Sequence, residues 1–344
     1  MPRPFFVPAE CDWEQVGSVE MSDVLAELDD VLAGADISSS PWKKPNKDGP
    51  SDQTCVYRPD YSILQDLIAI PIEQGHASKQ QSGRLAKSLD AYVAHELRRA
   101  GFPESAVFPR PRRPRVFAAE FAEAERHVDE LISAMADYEA KSGGRLKPSA
   151  VRQAIVRLRN SMPGSVDAHV LGRFYVKQVD VVVADWRRGP DVLVSGKSML
   201  SSYRNNLKNR YEEAIGEAYN LRDRYPLAAM GYAYIARSNI FDEDGAFELL
   251  RDLLVRLRRP DGPFDATTLL VAEWDDSPPL LTGIEDPSPA LALARFFEDL
   301  LNAVIEKTPV ELHQEIRIRK QGEPTGGVPP LDDIVAPDEV LESD

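Results

Sequence analysis

Residues 176–220, VKQVDVVVADWRRGPDVLVSGKSMLSSYRNNLKNRYEEAIGEAYN, hold an aspartate, a Ser-Gly-Lys tripeptide and a glutamate-bearing helix in succession. Two β-branched runs, 179–183 and 192–194, flank the turn-forming Arg187-Arg188-Gly189-Pro190, a pattern that predicts a β-hairpin buried on both faces. Asp180 sits inside the first of these strands. A carboxylate there costs about 2–7 kcal/mol or more of desolvation unless it is paired, protonated or bound to a metal. Because side chains alternate along a strand, Ser195 and Lys197 emerge on one face at the end of the second strand, and Gly196 faces away. Asp180, on the neighbouring strand, lies within reach of them.

The following helix brings further carboxylates. Leu207, Tyr211, Ile215 and Ala218 form its expected buried stripe. At about 100° per residue, Glu212 lies on the flank of that stripe and Glu213 opposite it, which favours Glu212; Glu217 is a further competitor. A straight helix starting near 202 would carry Glu212 on the order of 15 Å along its axis, so either the chain loops first or another carboxylate serves.

The elements that must position these residues can be read from periodicity. Helical spacing covers 19–32, followed by loop composition at 38–53 and a short apolar segment at 63–72. A stronger helix is predicted over 82–100, with Leu85, Leu89, Tyr92, Val93 and Leu97 on one stripe, Asp90 and Glu96 off it, and Gly101 as a stop. A Pro/Arg cluster at 109–115 and two helices, near 118–141 and 148–161, precede the hairpin. After the helix that ends near 224 come a strand at 227–236, a helix at 247–258, a strand at 267–274 and a helix at 290–307. This alternation predicts an α/β fold with a mixed sheet. The expected organisation is an N-terminal helical and irregular region over 1–80, a main domain over 81–320 with a helical insertion near 103–168, and a flexible acidic tail over 321–344.

With 344 residues and 43% apolar content, the chain has enough material for a real core. It contains no run of roughly 20 apolar residues and no basic-then-apolar start, so a cytoplasmic location is expected. Cys11 and Cys55 are too few for a disulfide framework. The net charge of -15 argues against a simple basic binder, yet residues 84–224 hold 25 Lys/Arg against 18 Asp/Glu. The basic excess therefore coincides with the chemistry-bearing segment. The acidic remainder can keep the protein soluble or limit non-specific DNA binding. Arg110, Arg112, Arg113 and Arg115 form a basic strip between prolines, and Arg152, Arg157 and Arg159 recur at helical spacing; either group could grip phosphates. The five histidines lack zinc spacing, and Asp191 stands where a P-loop reading of Gly196-Lys197-Ser198 requires a glycine.

A helix, an Asp-bearing strand, a hairpin, a strand ending x-x-Lys and a second helix resemble the PD-(D/E)XK, or restriction-endonuclease-like, superfamily over about 82–307. Ser195 stands where the family's Glu-x-Lys glutamate usually lies. In that respect the chain resembles type II restriction enzymes that take the second carboxylate from the next helix. The resemblance implies a mixed central sheet flanked by helices, and Mg²⁺-dependent hydrolysis of phosphodiester bonds in duplex DNA with Mn²⁺ as a substitute ion. It implies Asp180 and Glu212 as metal ligands, Lys197 orienting the attacking water and Ser195 marking the vacated carboxylate position. Asp90 and Glu213 would support the site, and Arg204, Asn205, Asn206 and Lys208 would contact DNA. A homodimer is expected, because cutting both strands needs two sites, with a cognate methyltransferase encoded separately in a restriction-modification, phage-defence setting. A nuclease dependent on a partner or on DNA modification, an RNA target and a non-catalytic DNA-binding protein remain alternatives. Residue by residue, Asp180 could instead be a strand-end residue or pair with Arg173 or Lys177, Ser195 and Lys197 could open an ordinary loop, and the glutamates could form a solvated helix face.

Overall fold

The computed structural model describes residues 24–44, 55–77, 82–111, 115–116, 168–185 and 188–321, with isolated helical positions between 130 and 141. The expected helices at 118–141 and 148–161, Arg112, Arg113 and the acidic tail lie wholly or almost wholly outside the described residues.

The fold is α/β. Its centre is a six-stranded mixed sheet in the order β10-β9-β8-β7-β6-β3, comprising β3 (Val107–Phe108), β6 (Val181–Asp185), β7 (Gly189–Met199), β8 (Ala229–Arg237), β9 (Ala266–Asp276) and β10 (Pro279–Glu285). The strands β7, β8 and β9 run parallel, while β3, β6 and β10 add antiparallel edges. Two short ribbons lie outside this sheet: β1 (Trp42–Lys43) with β2 (Val56–Tyr57), and β4 (Ala168–Leu171) with β5 (Val176–Val179).

Alternation along the central strands gives the sheet two apolar faces. On one face Val181, Val183, Val192, Val194 and Ala233 pack against α2 (Tyr61–Glu73), α3 (Ser82–Arg99) and α6 (Leu293–Lys307). On the other, Val182, Leu193, Tyr232 and Tyr234 pack against α4 (Tyr203–Arg222) and α5 (Ala246–Leu257). The other α-helices described over their whole length are α1 (Asp29–Gly34) and α7 (Gln314–Gln321). Among the described residues no helix is long and apolar enough to cross a membrane.

The structure corrects the sequence reading at several points. The apolar segment at 63–72 is part of α2, started by Asp60, whose side chain accepts from the Ser62 and Ile63 amides at 3.1 and 3.2 Å. Asp180 is not inside a strand but at a bend between β5 and β6, where it turns toward the neighbouring strand. Asp90 and Glu96, off the apolar stripe, are nevertheless buried, because α3 is enclosed on every side from Ser88 to Ala100. Glu96 is satisfied there by the Tyr57 hydroxyl at 2.8 Å and the Asp60 amide at 3.1 Å. The strand β10 and the helix α7 were not anticipated.

Candidate functional site

Gly196 lies in the carboxyl-terminal half of β7, paired with Ala233 of β8, and its backbone amide donates to Asp180 Oδ2 at 3.1 Å. That bond holds the Asp180 side chain across the β6–β7 pair. Lys197 Nζ stands 3.5 Å from the same oxygen, and Lys87 Nζ, from α3, stands 3.2 Å from Oδ1. Asp180 is therefore paired with Lys87 and Lys197, not with Arg173, which meets Asp223, or with Lys177, which meets Glu217.

Asp90 approaches from α3 on the face to which Gly196 belongs. A Cβ on Gly196 would lie 1.8 Å from Asp90 Oδ1, so only glycine leaves room for this carboxylate. Asp90 is 1% exposed, and neither of its oxygens has a hydrogen-bond partner; its ion-pair partner is Lys87 Nζ, 3.4 Å from Oδ2. Burial first, and then the neighbouring Asp180 charge, push the Asp90 carboxyl up to about 8 against the opposing pull of Lys87 and Lys197. For Lys197, burial works to lower the pKa, and the carboxylates of Asp180, Glu217 and Asp90 outweigh it, so the pKa is raised. Lys197 is thus an ammonium at neutral pH, suited to stabilising negative charge rather than accepting a proton.

On the opposite face, the buried Ser195 hydroxyl donates to Glu217 Oε1, and Lys177 Nζ lies 2.8 Å from Glu217 Oε2. The helix α4 starts at Tyr203 and turns Tyr203, Leu207, Ala214, Ala218 and Leu221 inward, leaving the expected stripe members Tyr211 and Ile215 only half-buried. Glu217 follows that rotation to the sheet. Glu212 is exposed about 140° around the helix from it, and Glu213 is exposed and paired with Arg210 at 2.7 Å. The structure brings together Asp90, Asp180 and Lys197 with Lys87, sets Ser195 against Glu217 and Lys177 on the other face, and leaves Glu212 outside both. Glu217 was legible only as one of three carboxylates, Lys177 only as a possible partner of Asp180, and Lys87 carried no signal beyond its charge.

Arg204, Asn205, Asn206 and Lys208 are exposed in the first turns of α4. Arg204 Nη1 donates to the Asp244 carbonyl at 2.9 Å, and Asn206 Nδ2 donates to the Ser202 carbonyl at 2.9 Å. Glu243 closes the start of this helix by accepting from the Tyr203 and Arg204 amides at 2.9 and 2.8 Å. Asn220, at the other end, holds the β4–β5 turn: its Oδ1 accepts from the Phe174 and Tyr175 amides at 2.9 and 3.3 Å. This brace sets the start of β5, the strand that delivers Asp180.

Gly196→Ala is expected to destabilise the fold by about 1–3 kcal/mol, because Asp90 must leave its position. Urea denaturation of that variant and of Gly196→Ala combined with Asp90→Ala checks this, and a single variant as stable as wild type would contradict the close approach. The raised Asp90 carboxyl has a pH signature. Between its unfolded value near 4 and about 8, the folded state holds a proton the unfolded state has lost, so stability falls across that window as pH rises. Asp90→Asn is therefore expected to be more stable than wild type at pH 9, by about 1–3 kcal/mol, with the gap closing toward pH 4. A variant less stable than wild type at pH 9 would contradict the unpaired buried charge.

Together, the fold and the site define an α/β protein with a carboxylate–lysine centre at β6 and β7 of a mixed sheet. Among the described residues, no group of three or more His, Cys, Asp and Glu side chains is arranged to hold a metal ion. No family model, curated protein or solved structure matches the chain.

Proposed function

We propose that this chain is a Mg²⁺-dependent endodeoxyribonuclease with a restriction-endonuclease-like core, most economically a type II restriction enzyme acting on duplex DNA as a homodimer. The observation that carries this reading is the meeting of Asp90, Asp180 and Lys197 at one point, with both Asp90 oxygens buried and lacking a hydrogen-bond donor. The order α3, β5/β6, hairpin, β7, α4 also supports it, being the order of the superfamily the sequence resembles.

The donor set fits a divalent cation. Orphaned carboxylate oxygens beside a second carboxylate are the hard ligands Mg²⁺ takes, usually with several waters completing its shell. Asp90 and Asp180 would hold it, with Glu217 across Lys197 as a further anionic group in place of Glu212. When bound, such an ion supplies polarisation of a phosphoryl oxygen and a lowered pKa for water. The chain's own residues do the rest. Lys197 offers positive charge to a phosphate oxygen or orients the attacking water. Ser195 and Lys177 hold Glu217 in place, and Gly196 fixes Asp180 through its amide.

A second reading, a DNA-binding protein that does not cut, is favoured by one observation: the Asp180 oxygens already meet Lys87, Lys197 and the Gly196 amide. The discriminating test is incubation of the purified protein with supercoiled plasmid, linear duplex and an RNA transcript, each with Mg²⁺ or EDTA. Nicked or linear plasmid with Mg²⁺ alone supports the nuclease. Retarded but intact duplex supports the binder, and cleavage confined to the transcript would move the substrate to RNA.

A further inference from the structure

We propose that Lys87 is the site's internal counter-cation, occupying the space between Asp90 and Asp180 that a divalent ion would take, and that it must swing out when the site loads. This inference rests on the reading of the cluster as a divalent-cation site. Lys87 precedes Asp90 by three residues on α3 and bridges the two carboxylates, 3.4 Å from Asp90 Oδ2 and 3.2 Å from Asp180 Oδ1. The carboxylates it bridges are the anchored partners. Asp90 is buried on an enclosed helix against Gly196, and Asp180 is tied to the Gly196 amide. Lys87 itself is the movable one, since its side chain is 22% exposed and its ammonium sits at the end of a flexible four-carbon stem.

A buried carboxylate without a hydrogen-bond donor needs a cation nearby if it is to remain charged. Lys87 serves that need as a single positive charge without satisfying the oxygens. A divalent ion would bring twice the charge and direct oxygen coordination. Loading is then an exchange in which the ion enters, the ammonium leaves for solvent still protonated, and the Asp90 carboxyl, where it is protonated, gives its proton to solvent. The ion's apparent affinity is set by this competition, which keeps the cluster compact in its absence. Lys197 is less suited to the same exchange, because Asp180, Glu217, Asp90 and Glu213 all hold its charge.

The test is Mn²⁺ binding by calorimetry to the full chain and to Lys87→Met, which keeps the stem and removes the charge. Mn²⁺ is expected to bind Lys87→Met at least about tenfold more tightly than wild type. The ion-free variant is expected to melt lower than wild type and to show a larger rise in Tm on adding Mn²⁺. Equal or weaker Mn²⁺ binding would overturn the proposal and leave Lys87 a structural brace. Lys87→Arg, which retains the charge, gives an independent check: it should bind Mn²⁺ no more tightly than wild type, and tighter binding would overturn the competition. The outcomes separate this inference from the nuclease reading. Tighter Mn²⁺ binding by Lys87→Met with no nucleic acid cut by wild type sustains the exchange and sinks the nuclease. Mg²⁺-dependent cutting by wild type with unchanged Mn²⁺ affinity in Lys87→Met does the reverse. Absence of Mn²⁺ binding to both proteins overturns both.

Discussion

Asp180→Asn is expected to lower Mg²⁺-dependent cleavage of duplex DNA by about 10²–10³-fold or more, while DNA binding changes little. The asparagine keeps the shape of the side chain, and its carbonyl can still accept the Gly196 amide bond. It cannot pair with Lys197 and Lys87, which stand 3.5 and 3.2 Å from the present carboxylate. The anionic centre then loses the ligand most directly linked to the ammonium, and the remaining Asp90 carboxyl is relieved of a like charge. Cleavage of an end-labelled duplex under single-turnover conditions, with gel-shift binding alongside, measures both quantities. Full activity would remove Asp180 from the site.

The second large effect separates two glutamates on one helix. Glu217→Gln is expected to reduce cleavage by about 10²-fold, whereas Glu212→Gln should stay within about twofold of wild type. Glu217 is buried, takes the Ser195 hydroxyl and faces Lys177 at 2.8 Å, while Glu212 is exposed. Its charge also contributes to holding Lys197 as an ammonium. Parallel rate measurements on the two variants decide the matter. Loss of activity in Glu212→Gln with Glu217→Gln unaffected would mean that α4 presents its other flank to the reacting phosphate.

Much of the frame was legible because its elements have clear periods. The hairpin with its β-branched runs, the helix after it, and the β8-α5-β9-α6 succession all lie close to where spacing put them, and the mixed α/β sheet follows from their alternation. The edge strand β10 escaped notice because Pro278, Pro279 and Gly283 give it turn composition, and its pairing with β9 supplies the order. The polar helix α7 has a single buried residue, Ile316, and so leaves almost no stripe to read.

The candidate site was legible in its residue types and only partly in its geometry. Asp180, Ser195 and Lys197 were singled out by strand alternation and desolvation cost; Asp180 and Lys197 do meet, whereas Ser195 bonds Glu217. Asp90 could be singled out only by its place in the resemblance, since helical period set it on a polar flank; its burial comes from the packing around α3. The choice between Glu212 and Glu217 turned on a rotation of α4 set by Leu207, Ala214, Ala218 and Leu221, in which the small alanines allow close packing that hydrophobicity alone does not reveal. The hold on the Asp180 side chain was likewise hidden, because the amide that supplies it belongs to another strand.

The most direct test of the site is incubation of wild type and Lys197→Ala with unmodified phage DNA, each with Mg²⁺ and with EDTA, resolved by gel electrophoresis. Discrete fragments from wild type with Mg²⁺, absent from EDTA and from the variant, are the predicted result. Intact DNA from wild type under every condition, or equal cutting by Lys197→Ala, would contradict a metal-dependent nuclease centred on these residues.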